Sequence, residues 1–361
     1  MKKIWKQSLM KKLASRTLLV VCSVMFCLVV AELLLRVFQV GYGNAPLDND
    51  PYLHHRHPTN YSFLSHTPNK EYGGYTVYYD QDGCRVDGWK NKARSCEVKY
   101  RVAFLGDSFT EAIQVADTDS FVGLLDARRC DTQTLNFGVA SYSPALYFLQ
   151  WQTVKNFHPT HVIVQLFSND IGDDSTYIQR GIFDSDGNLV AVPGNFYSGS
   201  AILVRKSYLV RLLRKVQLQL AWTFAHHGEK QTVINGYVEE NPDITDASAQ
   251  FIKKLNDQVR SSGAHFYLTV IPSKFRVEST NRTYEGWEFS QKWEHWAREQ
   301  RIDFIDLVEP FRKARRETNE PLFYQEDIHL NKQGHLVVAD AILKSLPELF
   351  STGDKTPQPE R

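Results

Sequence analysis

Five short apolar runs alternate with amphipathic segments between Arg101 and Leu346, and this alternation limits the folds open to the chain. Each run is nearly continuous, as expected for parallel strands covered on both faces. We predict strands at Arg101–Leu105, Thr134–Phe137, His161–Leu166, His265–Ile271 and Phe304–Asp306. We predict helices at Phe121–Ala127, Ser143–Asn156, Asp246–Ser261, Trp287–Gln300 and Gln333–Leu346. This order predicts a doubly wound α/β sandwich with a parallel sheet, which binds ligands beyond the carboxyl ends of its strands.

The N-terminus carries a basic segment followed by a long apolar run. The basic residues are Lys2, Lys3, Lys6, Lys11, Lys12 and Arg16. About 20 helical residues cross a bilayer core, and Thr17 to Phe38 is just long enough. Positive charge on the cytoplasmic side predicts that residues 1–16 are cytoplasmic and that 17–38 form a single-pass anchor. The rest of the chain is then expected on the extracytoplasmic (periplasmic) side of the cytoplasmic membrane.

A cleaved signal peptide is the alternative to a retained anchor. Signal peptides have apolar stretches of about 7–15 residues and a small-x-small cleavage site. The run here is longer, and no Ala-x-Ala site follows it. Neither Cys22 nor Cys27 follows the small residue that a lipoprotein site requires. We therefore expect a retained signal-anchor.

Three further regions are distinguished by their residue patterns. Residues 39–98 are predicted to be a linker and a small β lead-in packed on the main domain, which spans 99–350. The polar residues 351–361 are predicted to be a flexible tail. Residues 174–245 interrupt the alternation as an insertion, with a hairpin turning at Asp184–Asn188 and a basic amphipathic helix at Ala201–Phe224. That helix either lies on a membrane surface or, our preferred interpretation, buries its leucines on the domain as a cap.

The net charge, the cysteines and the histidines indicate which partners, disulfides and metal sites the chain can have. A net charge of +1 provides no electrostatic reason to expect nucleic-acid binding. Cys84 and Cys96 flank a polar loop and could form a disulfide in an oxidising compartment, leaving Cys130 unpaired, although sequence does not establish the pairing. No Cys-x-x-Cys or His-Glu-x-x-His pattern is present, so neither a structural nor a catalytic metal has support in the sequence. We interpret His54-His55-Arg56-His57 as a solvated part of the linker rather than a metal cluster.

Polar segments follow three of the predicted strands, and a fourth lies near the C-terminus. They are Gly106-Asp107-Ser108, Asn136-Phe137-Gly138, Ser168-Asn169-Asp170 and Asp327-Ile328-His329. Acyl transfer needs a nucleophile, a base, a group that orients the base, and oxyanion donors. The candidates are Ser108 as nucleophile, His329 as base, Asp327 or Glu326 as the orienting acid, and the Ser108 N–H, the Gly138 N–H and the Asn169 amide as donors. Each segment alone has an ordinary explanation as a turn or helix cap, but the four together favour catalysis.

The four segments resemble the blocks of the SGNH/GDSL hydrolase superfamily, with Ser108, Gly138, Asn169 and His329 at the named positions. The resemblance covers Arg101 to Leu346 apart from the insertion, and is strongest to bacterial membrane-anchored members. It implies a three-layer α/β/α flavodoxin-like fold and no cofactor. Phe109 stands where many members have leucine, and Phe167 where the third block often has glycine. The family commonly places its aspartate three residues before the histidine, at Glu326 here; we prefer Asp327, because an Asp-x-His spacing recurs in the related membrane-associated branch.

The expected function is an extracytoplasmic serine esterase that acts on O-acyl groups of cell-envelope carbohydrate, the substrate class that the resemblance implies. Tyr142, Trp287 and Trp293 could stack on sugars or belong to the core. A polysaccharide O-acetyltransferase with the same triad, and a lipase or thioesterase acting on lipid esters, are alternatives. A non-catalytic envelope binding module is the alternative from another class, and it predicts that Ser108 and His329 lie too far apart to hydrogen bond.

Overall fold

The structure, a computed structural model, describes residues 2–38, 47–67, 70–88, 95–194, 203, 206–225, 233–234, 237–238, 243–278 and 288–351. The strands are β1 (Asp48–Asp50), β2 (His54–Arg56), β3 (Tyr61–His66), β4 (Gly73–Tyr79), β5 (Arg85–Val86), β6 (Tyr100–Leu105), β7 (Thr132–Asn136), β8 (His161–Leu166), β9 (Ile182–Phe183), β10 (Leu189–Ala191), β11 (Val233–Ile234), β12 (Tyr237–Val238), β13 (His265–Val270) and β14 (Asp303–Ile305). The helices are α1 (Lys2–Val37), α2 (Ser108–Glu111), α3 (Phe121–Asp126), α4 (Pro144–Val154), α5 (Asp170–Arg180), α6 (Tyr208–Ala225), α7 (Asp246–Ser261), α8 (Lys274–Val277), α9 (Glu288–Glu299), α10 (Val308–Thr318), α11 (Lys332–Ser345) and α12 (Pro347–Phe350).

An eight-stranded sheet forms the centre of the α/β domain, in the order β14-β13-β8-β6-β7-β5-β4-β3. The strands from β14 to β7 are parallel to one another. Strand β8 is buried along its whole length, which is why its sequence is apolar apart from His161 and Gln165. The five predicted strands are confirmed, with bounds shifted by at most two residues.

The lead-in extends this sheet. Strands β5, β4 and β3 continue it antiparallel beyond β7, and Arg85 pairs with Asn136 where the two parts meet. An unpaired strand edge exposes N–H and C=O groups, and the added strands cover the β7 edge. Phe63, Val77 and Tyr79 form a small core on these strands. The lead-in is therefore part of the central sheet and lies beside the strands that carry the polar segments.

Helices cover both faces of the sheet, giving three layers. One face packs against α4, α7 and α9, and the other against α3, α10, α11 and α12. All five predicted helices are observed, although Trp287, the first residue predicted for α9, lies outside the described residues. Helices α5 and α10 were not predicted. Both are largely polar: α5 buries two aspartates beside Ile171 and Tyr177, and the buried residues of α10 are Val308 and Phe311.

The N-terminal helix α1 contains a candidate membrane span, Lys12–Val37, with a mean hydropathy of 2.8 over its most apolar window. Its length and composition suffice to cross a bilayer, and a signal sequence meets the same criterion.

The insertion contains the predicted hairpin, formed by β9 and β10. Helix α6 is tied to α1 by hydrogen bonds to Glu32. The expectation that the leucines of Ala201–Phe224 are buried on the domain is wrong for Leu203 and Leu213, each 58% exposed.

The disulfide joins Cys96 to Cys130, with Cα atoms 5.6 Å apart. The alternative of a Cys84–Cys96 bond is therefore wrong. Cys96 and Cys130 precede the neighbouring parallel strands β6 and β7, and the Lys99 N–H donates to the Asp131 carbonyl 2.8 Å away between them. Cys84 is a buried free thiol in the main core. Sheet pairing, rather than distance along the chain, determines which thiols meet.

The histidine run also differs from expectation, because His54, His55 and His57 are buried. His55 Nε2 lies 2.7 Å from the Ala140 carbonyl oxygen, and His57 Nδ1 lies 2.9 Å from that of Gly83. The prediction of a solvated linker failed because these imidazoles have backbone partners on distant loops. His55 joins the lead-in to the loop that follows β7, and His57 joins two parts of the lead-in.

Candidate active site

Ser108 lies at the sharp turn between β6 and α2. A Cβ atom on Gly106 would lie 2.2 Å from Thr110 Oγ1, so no side chain fits at that position. Asp107 is the N-cap residue of α2, and its Oδ1 accepts a hydrogen bond from the Phe109 N–H at 2.9 Å. The turn therefore places Ser108 on the first turn of a helix, beyond the carboxyl end of a central strand.

His329 lies against Ser108. Its Nε2 is 2.7 Å from Ser108 Oγ, and its Nδ1 is hydrogen bonded to Asp327 Oδ1. The same Asp327 oxygen accepts the His329 backbone N–H at 2.8 Å. Both ring nitrogens are thus engaged, which leaves none for Glu326, an exposed residue. Of the two candidate acids, the structure places Asp327 against the imidazole.

The surroundings of His329 favour its protonated form. Burial by itself would lower the pKa of this imidazole, but the charge of Asp327 and its hydrogen bond, together with Asp107 and Glu111, raise it above the usual value. A raised pKa strengthens the imidazole as a base and stabilises the imidazolium that forms when it accepts a proton. The geometry and the electrostatics both suit proton transfer from Ser108.

The loop that carries His329 is held by Lys274, a residue that sequence reasoning missed. Its buried Nζ donates to the Tyr324 and Gln325 carbonyl oxygens, each at 2.6 Å, and lies 3.4 Å from that of Asp327. Burial lowers the pKa of Lys274, although Glu278, Glu71 and Asp327 act in the opposite direction. An ammonium group thus joins the backbone just before His329 to helix α8.

Two carboxylates accept hydrogen bonds from backbone N–H groups of the same loop. Glu278 Oε1 accepts the N–H groups of Leu322 at 3.1 Å and Phe323 at 3.2 Å. Glu71, which lies in the lead-in 255 residues before Glu326, accepts the Glu326 N–H at 2.9 Å. No local pattern around Asp327 and His329 indicates these contacts, because each partner lies on another element.

The lead-in also holds helix α2 through a buried carboxylate. Glu111, at the end of α2, accepts the Tyr79 hydroxyl at 2.5 Å and the Ala140 N–H at 2.9 Å, and its Oε1 lies 3.0 Å from His57 Nε2. Burial alone would raise the pKa of Glu111, but His57 and these hydrogen bonds lower it overall. A buried carboxylate with such partners fastens the helix that begins at Ser108.

Arg85 completes this support. Its buried guanidinium donates to the carbonyl oxygens of Glu111 at 2.5 Å and Val115 at 2.6 Å, and also to that of Ala112. The last carbonyls of a helix have no intrahelical donor, and a cation there is favourable. Strand β5 therefore supplies the side chain that satisfies the end of α2.

Gly138 packs directly on α2. A Cβ atom at this position would lie 2.3 Å from the Glu111 nitrogen, so the close approach requires glycine. The Gly138 N–H donates to Asn136 Oδ1 at 3.0 Å, and Asn136 in turn donates to the Thr110 carbonyl at 2.8 Å. An oxyanion role for this N–H stays a prediction, and it requires the N–H to be shared with or released from Asn136.

Asn169 begins helix α5, beyond the carboxyl end of β8. Its Nδ2 donates to Asp173 Oδ2 at 2.9 Å, which uses one of the two amide hydrogens. The ring of Phe167 packs on that of Phe109 at 4.4 Å, and Phe109 packs on His329 at 4.8 Å. The two positions that depart from the family pattern therefore fill space against each other, and they join the Asn169 turn to the Ser108 turn.

The family assignment rests on a sequence comparison. The model of the GDSL-like lipase/acylhydrolase family matches residues 104–337. The chain belongs to this family and is an ester-hydrolysing enzyme with the family's α/β fold and its mostly parallel sheet. A search of curated proteins finds no match.

Several solved structures are similar to the chain. The α/β hydrolase LAE5, from the metagenome of Lake Arreo in Spain, is 14% identical and has a TM-score of 0.42; the match covers 72% of this chain and all of LAE5. A mutant of the acetylxylan esterase Axe2 from Geobacillus stearothermophilus is 13% identical, with coverage of 72% and 99% and a TM-score of 0.42. A GDSL-like lipase from Bacteroides thetaiotaomicron is 12% identical, with coverage of 71% and 92% and a TM-score of 0.39.

Proposed function

We propose that the chain is an extracytoplasmic serine esterase in which Ser108, His329 and Asp327 form the catalytic triad. The observation that carries this proposal is the 2.7 Å separation of Ser108 Oγ and His329 Nε2, with Asp327 on the other ring nitrogen. A non-catalytic module predicts that the serine and the histidine are apart, and this contact counts against it.

The reaction follows from the positions of these groups. Ser108 Oγ attacks the carbonyl carbon of the ester while His329 Nε2 takes the hydroxyl proton. The Ser108 N–H lies on the first turn of α2, where helix N–H groups lack intrahelical acceptors, and it stabilises the oxyanion. The C–O bond of the ester then breaks, and the alcohol leaves with the proton from His329. Water attacks the acyl-serine with His329 again as base, which releases the acid and restores Ser108.

Two observations support an extracytoplasmic location. The basic residues before the candidate span favour a cytoplasmic N-terminus, with the α/β domain on the other side of the membrane. The Cys96–Cys130 disulfide suits an oxidising compartment. Helix α1 then acts as a retained single-pass anchor.

We propose O-acyl groups, above all acetyl groups, on cell-envelope carbohydrate as the substrate class. The support is the resemblance to membrane-anchored family members together with the location. Aromatic stacking adds no support, because Tyr142 is 1% exposed and Trp293 is fully buried in the core. The idea that these two rings stack on sugars is wrong, and Trp287 lies outside the described residues.

Labelling of the detergent-solubilised full chain with a fluorophosphonate probe tests the triad. Wild type is expected to be labelled, and Ser108→Ala is expected to lose the label. Ser262→Ala, at an exposed serine beyond the end of α7, is the matched control and is expected to label as wild type does. A folded wild-type protein that does not react would refute the proposal.

The substrate class is tested with an acetylated oligosaccharide and a long-chain p-nitrophenyl ester, each followed by mass spectrometry. Release of acetate from the sugar, with little turnover of the long-chain ester, is the expected result. Acetyl transfer to an added oligosaccharide acceptor would identify a transferase instead. Turnover of the long-chain ester alone would identify a lipase or thioesterase.

A further inference from the structure

Helix α6 begins at a carboxylate of the candidate membrane span. Glu32 accepts hydrogen bonds from Ser207 Oγ at 2.8 Å, the Tyr208 N–H at 3.0 Å and the Leu209 N–H at 2.9 Å. Arg36, one turn further along α1, pairs with Glu32 at 2.7 Å and donates to the Lys206 carbonyl. The N-terminal N–H groups of α6 are therefore satisfied by a side chain of α1.

This contact sets the depth of α6 relative to a bilayer. A carboxylate in a membrane span is costly unless it is paired, and Glu32 lies near the outer end of Lys12–Val37. The donors come from the first turn of α6 and from Arg36, so the first turn of α6 must lie at the depth of Glu32. With Lys12–Val37 placed across a bilayer, that depth would lie near the boundary between hydrocarbon and headgroups.

The apolar side of α6 is exposed beyond this first turn. Leu213, Val216 and Leu220 are 58%, 44% and 53% exposed, and their spacing places them on one face of the helix. On α1, Leu33 is 55% exposed and Val37 is 74% exposed close to the tie at Glu32. The exposed stripe of α6 therefore begins next to the surface that the anchor would present to lipid.

The helical spacing of Arg211 and Arg214 places them on another side of α6. The guanidinium of Arg211 lies 4.3 Å from the centre of the Tyr208 ring, and that of Arg36 lies 5.7 Å from it. An apolar stripe combined with basic side chains and an aromatic residue is typical of helices that lie in the plane of a membrane interface. Anionic headgroups suit the cationic side, and acyl chains suit the leucines.

We propose that α6 is an interfacial helix whose stripe of Leu213, Val216 and Leu220 is occupied by the phospholipid bilayer. The proposal rests on the membrane anchoring proposed above. Because α6 and α1 are tied at Glu32, the pair forms a two-part attachment that holds the esterase domain against the outer membrane surface, close to esters at or near that surface.

Photo-crosslinking of the full chain in phosphatidylcholine/phosphatidylglycerol nanodiscs tests this. p-Azidophenylalanine is placed at Leu213, at Leu220, at Leu28 within the span and at Leu336 on α11; the last two are 45% and 39% exposed. After illumination, lipid adducts are counted by mass spectrometry. Positions 213, 220 and 28 are expected to give adducts at yields within about threefold of one another, and position 336 is expected to give less than a tenth of that yield.

The outcomes distinguish the proposal of an interfacial helix from the proposal of a membrane anchor. Adducts at 28 but only background at both 213 and 220 would overturn the interfacial helix and leave the anchor intact. Background at 28 as well would overturn the anchor and the interfacial helix together. Glu32→Gln, which weakens the tie between the helices, is expected to lower the yield at 213 and 220 at least twofold without changing the yield at 28.

Discussion

The two turns that bring Ser108 and His329 together are held in place in different ways. The Ser108 turn depends first on its own neighbours, since Gly106 allows the close packing and Asp107 caps α2. The His329 loop depends on charges from elsewhere, above all Lys274 and Glu71. Helix α2 is also fastened from the lead-in, by Arg85 and by the partners of Glu111. The two turns differ in that the Ser108 turn is itself shaped by adjacent residues, whereas the backbone just before His329 is held by side chains from other elements.

Removing either member of the contact is expected to have the largest effect. Ser108→Ala, His329→Ala and the double variant should each lower kcat for p-nitrophenyl acetate by about 10⁶-fold, because the two groups act as one unit. Steady-state kinetics on protein shown by circular dichroism to be folded checks this. If the loss of kcat in the double variant equalled the product of the two single losses, the two side chains would act independently.

Asp327→Asn is expected to lower kcat by about 10⁴-fold, because the amide no longer stabilises the imidazolium or the required tautomer. His329 must be neutral to act as a base, so kcat/KM rises with pH through its pKa. Asp327 raises that pKa, and its neutralisation should move the rise in kcat/KM to lower pH. The pH profiles of the two proteins measure the shift.

Glu326→Gln is the matched control for that variant, since Glu326 is the neighbouring carboxylate. It should retain activity within about threefold of wild type, with an unchanged pH profile, because an exposed charge alters a nearby pKa only slightly. A larger loss in Glu326→Gln than in Asp327→Asn would reverse the assignment of the acid.

Lys274→Met is expected to lower kcat by about 10²-fold with little change in KM, because a displacement of about 1 Å at the base has a cost of that size. The lost donor also leaves the partly buried Tyr324 and Gln325 carbonyls without that partner, which costs about 1–3 kcal/mol of unfolding free energy. Lys253→Met, at an exposed lysine on α7, is the control. Equal loss of stability with unchanged kcat would show that Lys274 has no positioning role.

The Cys96→Ser and Cys130→Ser double variant is expected to change activity least. The disulfide lies before the amino ends of β6 and β7, whereas the Ser108 turn follows the carboxyl end of β6. Losing a crosslink with a separation of 34 residues should lower the free energy of unfolding by about 3–4 kcal/mol. Urea unfolding measures that loss of stability. A fall in kcat of more than threefold would show that the disulfide, at the amino ends of β6 and β7, affects the active site at the carboxyl end of β6.

The strand periodicity predicted the parallel part of the sheet, because a strand buried on both faces must be apolar along its length. The motifs also predicted which side chains follow those strands, and Asp327 was preferred because the resemblance is to a branch in which an Asp-x-His spacing recurs. Such features are local: a turn, a cap or a two-residue spacing is encoded within a few positions. Helices α5 and α10 were not predicted, and both consist mostly of polar residues.

What could not be predicted depends on contacts between distant segments. The burial of His57, the Cys96–Cys130 pairing, the addition of β3–β5 to the sheet and the hold of Lys274 on the His329 loop all join residues far apart in the chain. From the sequence alone, a charged side chain is predicted to be exposed to solvent, because its partner is not known. Folding supplies that partner, since a charge can be buried only where another group satisfies it.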